Sequence, residues 1–224
     1  APVKTSSGRC SMTVRPILFN SEMVRAILNG SKTQTRRIIK SKVQKKIDIA
    51  EHLGQFFGLE DSKSQISSYF QKICPFGAIG DQLFVQETYG TKIRSLGGTP
   101  HESFVYKADN PNEIAYYDCK GKGYPVRWKP SSRMPRKASR VLLEIVDIRV
   151  ERLHEISDVD AKAEGFDKPK TDSTMQSNNS HNPVLNFQKH WEAIKGKESW
   201  NENPWVWVIE FKVKQEIIFS VGNF

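Results

Sequence analysis

Gly30-Ser31-Lys32-Thr33-Gln34-Thr35-Arg36-Arg37 sets a lysine, a run of hydroxyl and amide side chains and two arginines directly behind a helix stop. Just upstream, residues 14–19 are a short apolar run that reads as a strand, and Pro16 places it at a sheet edge, where a missing N–H costs nothing. Asn20 and Ser21 then offer an N-cap, Met23, Ala26, Ile27 and Leu28 recur at helical spacing, and Gly30 is the stop. A strand and a short helix therefore deliver the chain into residues 30–37. Two readings of that stretch are open. Charge runs are commonly solvated loops. Alternatively, the turn faces an anion, with Lys and Arg meeting phosphate or carboxylate.

Further along, residues 38–70 are mixed, with a basic run at Lys40, Lys42, Lys45 and Lys46. Turn signals at Pro75-Phe76-Gly77 and Gly80-Asp81 introduce a strand at Leu83, Phe84 and Val85. Glycine and proline pairs across residues 92–129 predict hairpins and long loops. Residues 140–153 form the clearest strand; apolar residues on both of its faces predict a central position. Ser157-x-x-Asp160 opens a short helix as a capping-box analogue, and Gly165 closes it. Residues 168–182, rich in Ser, Asn and Lys, read as a loop. Phe187, Trp191 and Ile194 mark a helix before Gly196. In the closing strand, Trp205, Trp207, Ile209 and Phe211 share one face and Val206, Val208 and Glu210 the other. No internal repeat and no heptad pattern is visible. The whole predicts one strand-rich α+β body.

Composition narrows the partners. In 224 residues there are 34 Lys and Arg against 25 Asp and Glu, a formal charge of +9, with an isoelectric point near 9.4 and a mean hydropathy of −0.55. A field of that sign favours anionic partners, nucleic acid first. No run approaches the ~18 consecutive apolar residues of a membrane span, and no leader-like segment is visible, so the expected setting is cytoplasmic, away from membranes. Cys10, Cys74 and Cys119 are far apart and form no CxxC pair, which argues against a disulfide framework or a zinc ribbon. The five histidines show neither HExxH nor paired-ligand spacing, so no metal and no cofactor is expected. Length alone allows one large domain or two small ones, at ~100–200 residues per domain.

The order of these short motifs resembles a known family. Gly30-x-Lys32-x-x-Thr35-x-Arg37 is similar to the G-x-K-x-x-[E/T]-x-R signature of ASCH domains, small β-barrels related to the PUA RNA-binding fold. Gly80-Asp81-x-Leu83-x-Val85 resembles the family's barrel turn and strand, Ile156-Ser157 through Ala163-Glu164-Gly165 its short helix, and Val206-Trp207-Val208-Ile209-Glu210-Phe211 its last strand. With Cys74-Pro75-Phe76-Gly77, the pattern is similar to ASCH-like proteins of phages and prophages. The resemblance implies a PUA-like small β-barrel with short flanking helices over residues 13–214. It also implies long loop insertions at about 40–75, 92–129 and 167–183. Residues 1–12 would be a loose or appended arm, with Met12 a plausible natural start, and 215–224 a C-terminal tail.

One branch of the family, a bacterial acetylcytidine amidohydrolase, carries Thr in the loop where many members carry Glu. Its catalytic lysine, threonine and glutamate fall on Lys32, Thr35 and Glu164. The chemistry is coherent: a threonine hydroxyl needs an adjacent base. A desolvated lysine beside Arg36 and Arg37 can supply one, as in Ser-Lys sites. Glu164 would orient the lysine or carry a proton to the leaving amine. On a regular strand, however, residues 32 and 35 face opposite ways. Their cooperation requires a turn or bulge at Thr33–Gln34.

A second basic cluster, Arg127, Lys129, Arg133, Arg136, Lys137 and Arg140 with Trp128 among them, suits single-stranded nucleic acid; a solvated face is the alternative. Gly30, Ser31, Arg36, Arg37, Arg127, Trp128, Lys129, Arg133 and Arg136 are therefore the expected binding residues for a nucleic acid or modified nucleoside. The functions in play are an amidohydrolase on an acylated cytidine-type base, a non-catalytic RNA- or DNA-binding module and, third, a ribonuclease.

Overall fold

The computed structural model describes residues 12–56, 62–96, 99–166 and 182–216. Along the chain, β1 (Val14–Leu18) leads through α1 (Ser21–Leu28) into β2 (Gln34–Ile38). Two helices, α2 (Ser41–Phe56) and α3 (Ser62–Gln71), precede β3 (Gln82–Gln86). Then come two hairpins, β4 (Tyr89–Leu96) with β5 (Thr99–Tyr106) and β6 (Ile114–Tyr117) with β7 (Gly123–Pro125). The long β8 (Val141–Arg152) is followed by α4 (Asp158–Ala163), α5 (Pro183–Lys195), α6 (Lys197–Asn201) and β9 (Trp205–Glu216).

Five strands build the main sheet in the order β1-β3-β8-β9-β2, with only the β1–β3 pair parallel. β8 is central and β1, with its Pro16, is an edge, as the apolar patterning requires. The architecture is mixed α+β, and the expected closed barrel is not shown: among the described residues no ladder joins β1 to β2. What links these two edges is a side chain, the Arg37 guanidinium donating to the Leu18 carbonyl at 2.6 Å.

β8 switches parity along its length. Val141, Leu143 and Ile145 are buried, then Ile148 and Val150, because the register against β9 shifts between Ile145 and Asp147. A bulge of this kind re-aims every residue beyond it. β9 is buried on both faces. Trp205, Trp207, Ile209 and Phe211 join the main core with Ile17, Leu83 and Ile145, while Val206 and Val208 meet Leu153, Phe187 and Trp191 in a second core beneath α4 and α5. Fully burying a side chain such as Phe187 stabilises by about 1.5–3 kcal/mol. A third cluster, Tyr89, Tyr106, Met134 and Ala138, anchors the β4–β5 hairpin.

The insertion expected as a loop at 40–75 is helical instead, and Ile47, Ile66 and Phe70 of α2 and α3 belong to the main core. Their solvent faces carry Lys, Ser and Gln, which masks the helical period. Residues 92–129 do form hairpins, and β4 already begins at Tyr89. Of the loop expected at 168–182, residues 168–181 lie outside the described residues, while Asn182 caps α5 by accepting from the Leu185 N–H at 3.0 Å. β9 runs to Glu216, two residues past the expected domain end. The arm at 1–11 and most of the tail, 217–224, are likewise outside the described residues. Among the described residues no helix is long and apolar enough to cross a membrane.

Candidate functional site

α1 starts where Asn20 accepts from the Met23 N–H at 2.8 Å, and it ends at Gly30, whose φ of +76° is the left-handed turn that glycine favours. The chain then passes between three elements. Lys32 N–H donates to the Ala26 carbonyl at 2.9 Å, Thr33 N–H to Ala163 at 2.8 Å, and Phe211 N–H to Thr33 at 2.9 Å. These bonds tie the stretch to α1, to the end of α4 and to β9. α4 is fixed by the reciprocal Ser157–Asp160 cap and closed by Gly165 at φ +97°. A β-carbon on Gly165 would lie 3.3 Å from the Ala26 Cβ and 3.4 Å from the Lys32 Cβ. That tight passage holds Glu164 against Lys32, with which it forms an isolated antiparallel bridge.

The Lys32 side chain is fully buried. Its ammonium donates to the Glu164 carbonyl oxygen at 3.0 Å and also to the Glu164 carboxylate. Arg36, equally buried, reaches Gln34 Oε1 at 2.5 Å, Glu151 and Asp160 at 3.3 Å each, and Glu164 Oε1 at 3.6 Å. Gln34 in turn donates to Asp160 at 3.0 Å and Glu210 at 3.1 Å, and Arg149 bridges Asp160, Glu151 and Glu210. Burial pushes the Lys32 ammonium below its ordinary range; Glu164 opposes that by charge and hydrogen bond, while Arg37 and Arg36 add to the lowering. Burial also lowers Arg37, again with Glu164 opposing. Asp160 is held below the usual carboxylate range: its partial burial acts the other way, and bonds from Ser157 and Gln34 with the Arg36 charge outweigh it.

A cleft of about 430 Å³ opens beside this cluster, with Thr35, Arg36, Arg37 and Glu164 in its lining. Phe19 and Met23 form one wall; Phe166, Phe187, His190 and Trp191 form the other. Cross-strand pairing explains how one cleft collects these groups. Thr35 and Arg37 oppose Ile209 and Trp207 on β9, on the main-core side, whereas Gln34 and Arg36 oppose Glu210 and Val208 on the second-core side. The cleft lies along β2, whose other edge carries no strand among the described residues.

The structure thus brings Lys32 to Glu164 and sets Thr35 and Glu164 in the lining of the same cleft. β2 begins only at Gln34, so Lys32 lies outside the regular strand. Even so, both hydrogen bonds of its ammonium go to Glu164, and among the described residues none joins it to Thr35. Gly30 and Ser31, expected as ligand-binding residues, are not in the cleft lining: Gly30 is an exposed turn, and the Ser31 hydroxyl is engaged with Asn29 at 2.6 Å and Ala26 at 3.2 Å. Arg127, Lys129, Arg133 and Arg136 are exposed, and Ser131, in their midst, is on the cleft lining. Trp128 is half-buried and donates to the Pro111 carbonyl at 3.2 Å. Arg140 is structural, clamped by buried Glu87 at 2.9 Å and by Asp109 at 2.7 Å and lying 4.0 Å from the Tyr106 ring centre.

Sequence reasoning missed Gln34, Glu151 and Arg149 as members of the polar network, and it read Asp160 as a cap alone. Phe187 and Trp191 were visible as a helix face, but nothing in their spacing showed that the same rings also wall a cleft. Among the described residues no group of three His, Cys, Asp or Glu could hold a metal ion.

No family model matches the sequence, and no curated protein matches it. A solved structure, the ASCH domain from Lactobacillus crispatus JV V101, superposes with a TM-score of 0.39 at 12% identity, covering 90% of this chain and 79% of that one. A likeness of that degree carries no argument about what the chain does.

Proposed function

We propose that the chain is an ASCH-like domain that removes an acyl group from a cytidine-type base held in the β2 cleft. The observation supporting this reading is that Thr35 and Glu164 line one cleft while Lys32 is buried against Glu164. The cleft volume, about 430 Å³, lies within the ~300–1,000 Å³ of small-molecule sites. In this reaction the Thr35 hydroxyl oxygen bonds to the acyl carbon as the bond from that carbon to the exocyclic nitrogen breaks. The hydroxyl proton passes through the Glu164–Lys32 pair to the departing amine. Water then cleaves the threonine ester, releasing the carboxylic acid and restoring the hydroxyl. Arg37, a cation on the cleft, offsets the charge that develops on the carbonyl oxygen.

Incubation with acetylcytidine, followed by chromatography for cytidine, tests the proposal. Turnover is expected from the native chain, and none from Thr35→Ala, which keeps its ligand affinity. Native-like turnover in Thr35→Ala overturns the nucleophile. A second reading, a non-catalytic RNA- or DNA-binding module, draws on the fact that the Lys32 ammonium engages Glu164 and not Thr35. It predicts that Arg37→Ala weakens binding by about 1–3 kcal/mol while Thr35→Ala is silent.

A further inference from the structure

We propose that the β6–β7 hairpin and residues 127–136 form a track for single-stranded nucleic acid that ends at the β2 cleft, making the substrate a base within a strand. What happens in the cleft rests on the deacylation reading; the track does not.

Between Asp118 and Glu144 the chain carries eight basic residues and no acidic one. Arg140 is held by Glu87 and Asp109, but among the described residues no ion pair holds Lys120, Lys122, Arg127, Lys129, Arg133, Arg136 or Lys137. A face that needed only solubility would intersperse both signs. Instead, seven cations without acidic partners follow one another along an exposed path, which is the pattern that meets a phosphate backbone.

Aromatic rings stand at the far end of that path. Tyr116 and Tyr124 are stacked, with ring centres 4.8 Å apart and planes 10° from parallel, and the Lys122 ammonium lies 5.5 Å from the Tyr124 ring centre. Tyr116 is 45% exposed and Tyr117 67%, large aromatic surface that the hairpin leaves in water. A flat ring with a cation beside it takes any base by stacking, without reading its sequence.

The near end is fixed to the cleft. Tyr89 and Lys129 exchange backbone hydrogen bonds at 3.3 and 2.8 Å, which pins the basic segment beside the start of β4. Thr88, next to Tyr89, and Ser131, two residues beyond Lys129, are both in the cleft lining. The Trp128 ring lies beside β4, where a β-carbon on Gly90 would meet it at 3.5 Å. From Tyr124 to Ser131 the chain spans at most roughly 25 Å when extended. That suits a short strand of about four nucleotides, the lower end of single-strand site sizes.

Fluorescence anisotropy of the full chain with labelled 12-nucleotide RNA and DNA of mixed pyrimidines, at low and moderate salt, tests the track. Expected is binding to single strands whose log–log salt slope is about −0.7 for each phosphate held. Tyr116→Ala and Tyr124→Ala should each weaken it roughly 5- to 100-fold. Arg133→Gln with Arg136→Gln, both exposed and safe for folding, should reduce the slope by about 1.4. No binding at low salt, a slope near zero, affinity unmoved by the tyrosine and arginine variants, or binding only to vesicles of anionic lipid overturns the track. Oligonucleotide binding with these responses, but no acetate released from acetylcytidine or from an acetylated strand, overturns the deacylation reading and supports the track. Release from free acetylcytidine with no strand binding does the reverse.

Discussion

Glu164→Gln changes the charge of the site while keeping its shape. In the native chain, the Lys32 side chain is 0% exposed and that of Glu164 4%, so both charges lie outside bulk water. Glutamine can still accept from the Lys32 ammonium, but it no longer neutralises it, and Arg36 loses its 3.6 Å carboxylate partner as well. Breaking a buried pair from one side costs about 3–5 kcal/mol. With a urea m-value of ~3 kcal/mol/M for a chain of this size, the unfolding midpoint should fall by about 1–1.7 M at pH 7.

The pH dependence carries the sharper test. The folded Lys32 lies below the ordinary lysine value of 10.5, so between its folded value and 10.5 the unfolded chain binds more protons and stability rises with pH. Glu164→Gln removes the charge that raises Lys32 and leaves only a neutral hydrogen bond against burial, Arg37 and Arg36, so Lys32 is lowered further. The window of rising stability therefore extends to lower pH in the variant than in the native chain. The gap between the two should close, by up to about 1.4 kcal/mol per pH unit, between the folded Lys32 values of the variant and of the native chain, both below 10.5. Tryptophan fluorescence during urea unfolding, repeated across the pH range below 10.5, measures it. A gap that stays constant across the whole range below 10.5 refutes the buried-cation argument. The double variant Lys32→Met with Glu164→Gln should be less destabilised than the sum of its singles, since no uncompensated charge remains on that pair.

Gly165→Ala should lower stability by about 1–3 kcal/mol, because its φ of +97° strains any L side chain and the added carbon meets Ala26 at 3.3 Å; an unchanged melting temperature refutes this. Tyr106, whose hydroxyl donates to the Ala138 carbonyl at 2.8 Å, is pushed up to about 12 by burial. Ultraviolet titration should show a late ionisation step near pH 12 that Tyr106→Phe removes, and its persistence in that variant counts against the assignment.

Much of the fold is legible because its patterns are local. α1 has a cap, an apolar face and a glycine stop within eleven residues, Asn20 to Gly30. β8 and β9 carry apolar residues on both faces, as central or doubly covered strands do. Even the β8 bulge has a trace in the adjacent Ile145 and Val146, where the alternation slips by one. α2 and α3 were hidden because few of their residues reach the core while lysines and serines fill the rest. The site was legible only in part, and for a different reason. Lys32 and Glu164 are 132 positions apart, and no spacing rule connects them. Their pairing followed from the family resemblance, whereas the Arg36–Asp160–Glu151–Arg149 network has no sequence signal. Arg36 sits on β2, Asp160 on α4 and Arg149 with Glu151 on β8, and only the folded sheet converges them.

The geometry of β2 also bears on the objection that Lys32 and Thr35 face opposite ways. An edge strand leaves backbone groups unpaired and needs cover. The end of α4 supplies some of it, through the Thr33 N–H to Ala163 bond, and the next residue along is Glu164. The contact that protects the edge thus delivers a carboxylate to the boundary between the two faces. Lys32 and Arg36 reach that carboxylate, and Thr35 and Arg37 share its cleft. On the proposed reading Lys32 and Thr35 need not touch, because Glu164, which is bonded to Lys32, lines the same cleft as Thr35. Buried ion pairs add little stability compared with apolar side chains of similar volume. The proposed deacylation makes use of such a cluster of desolvated cations and carboxylates beside a cleft of ligand size.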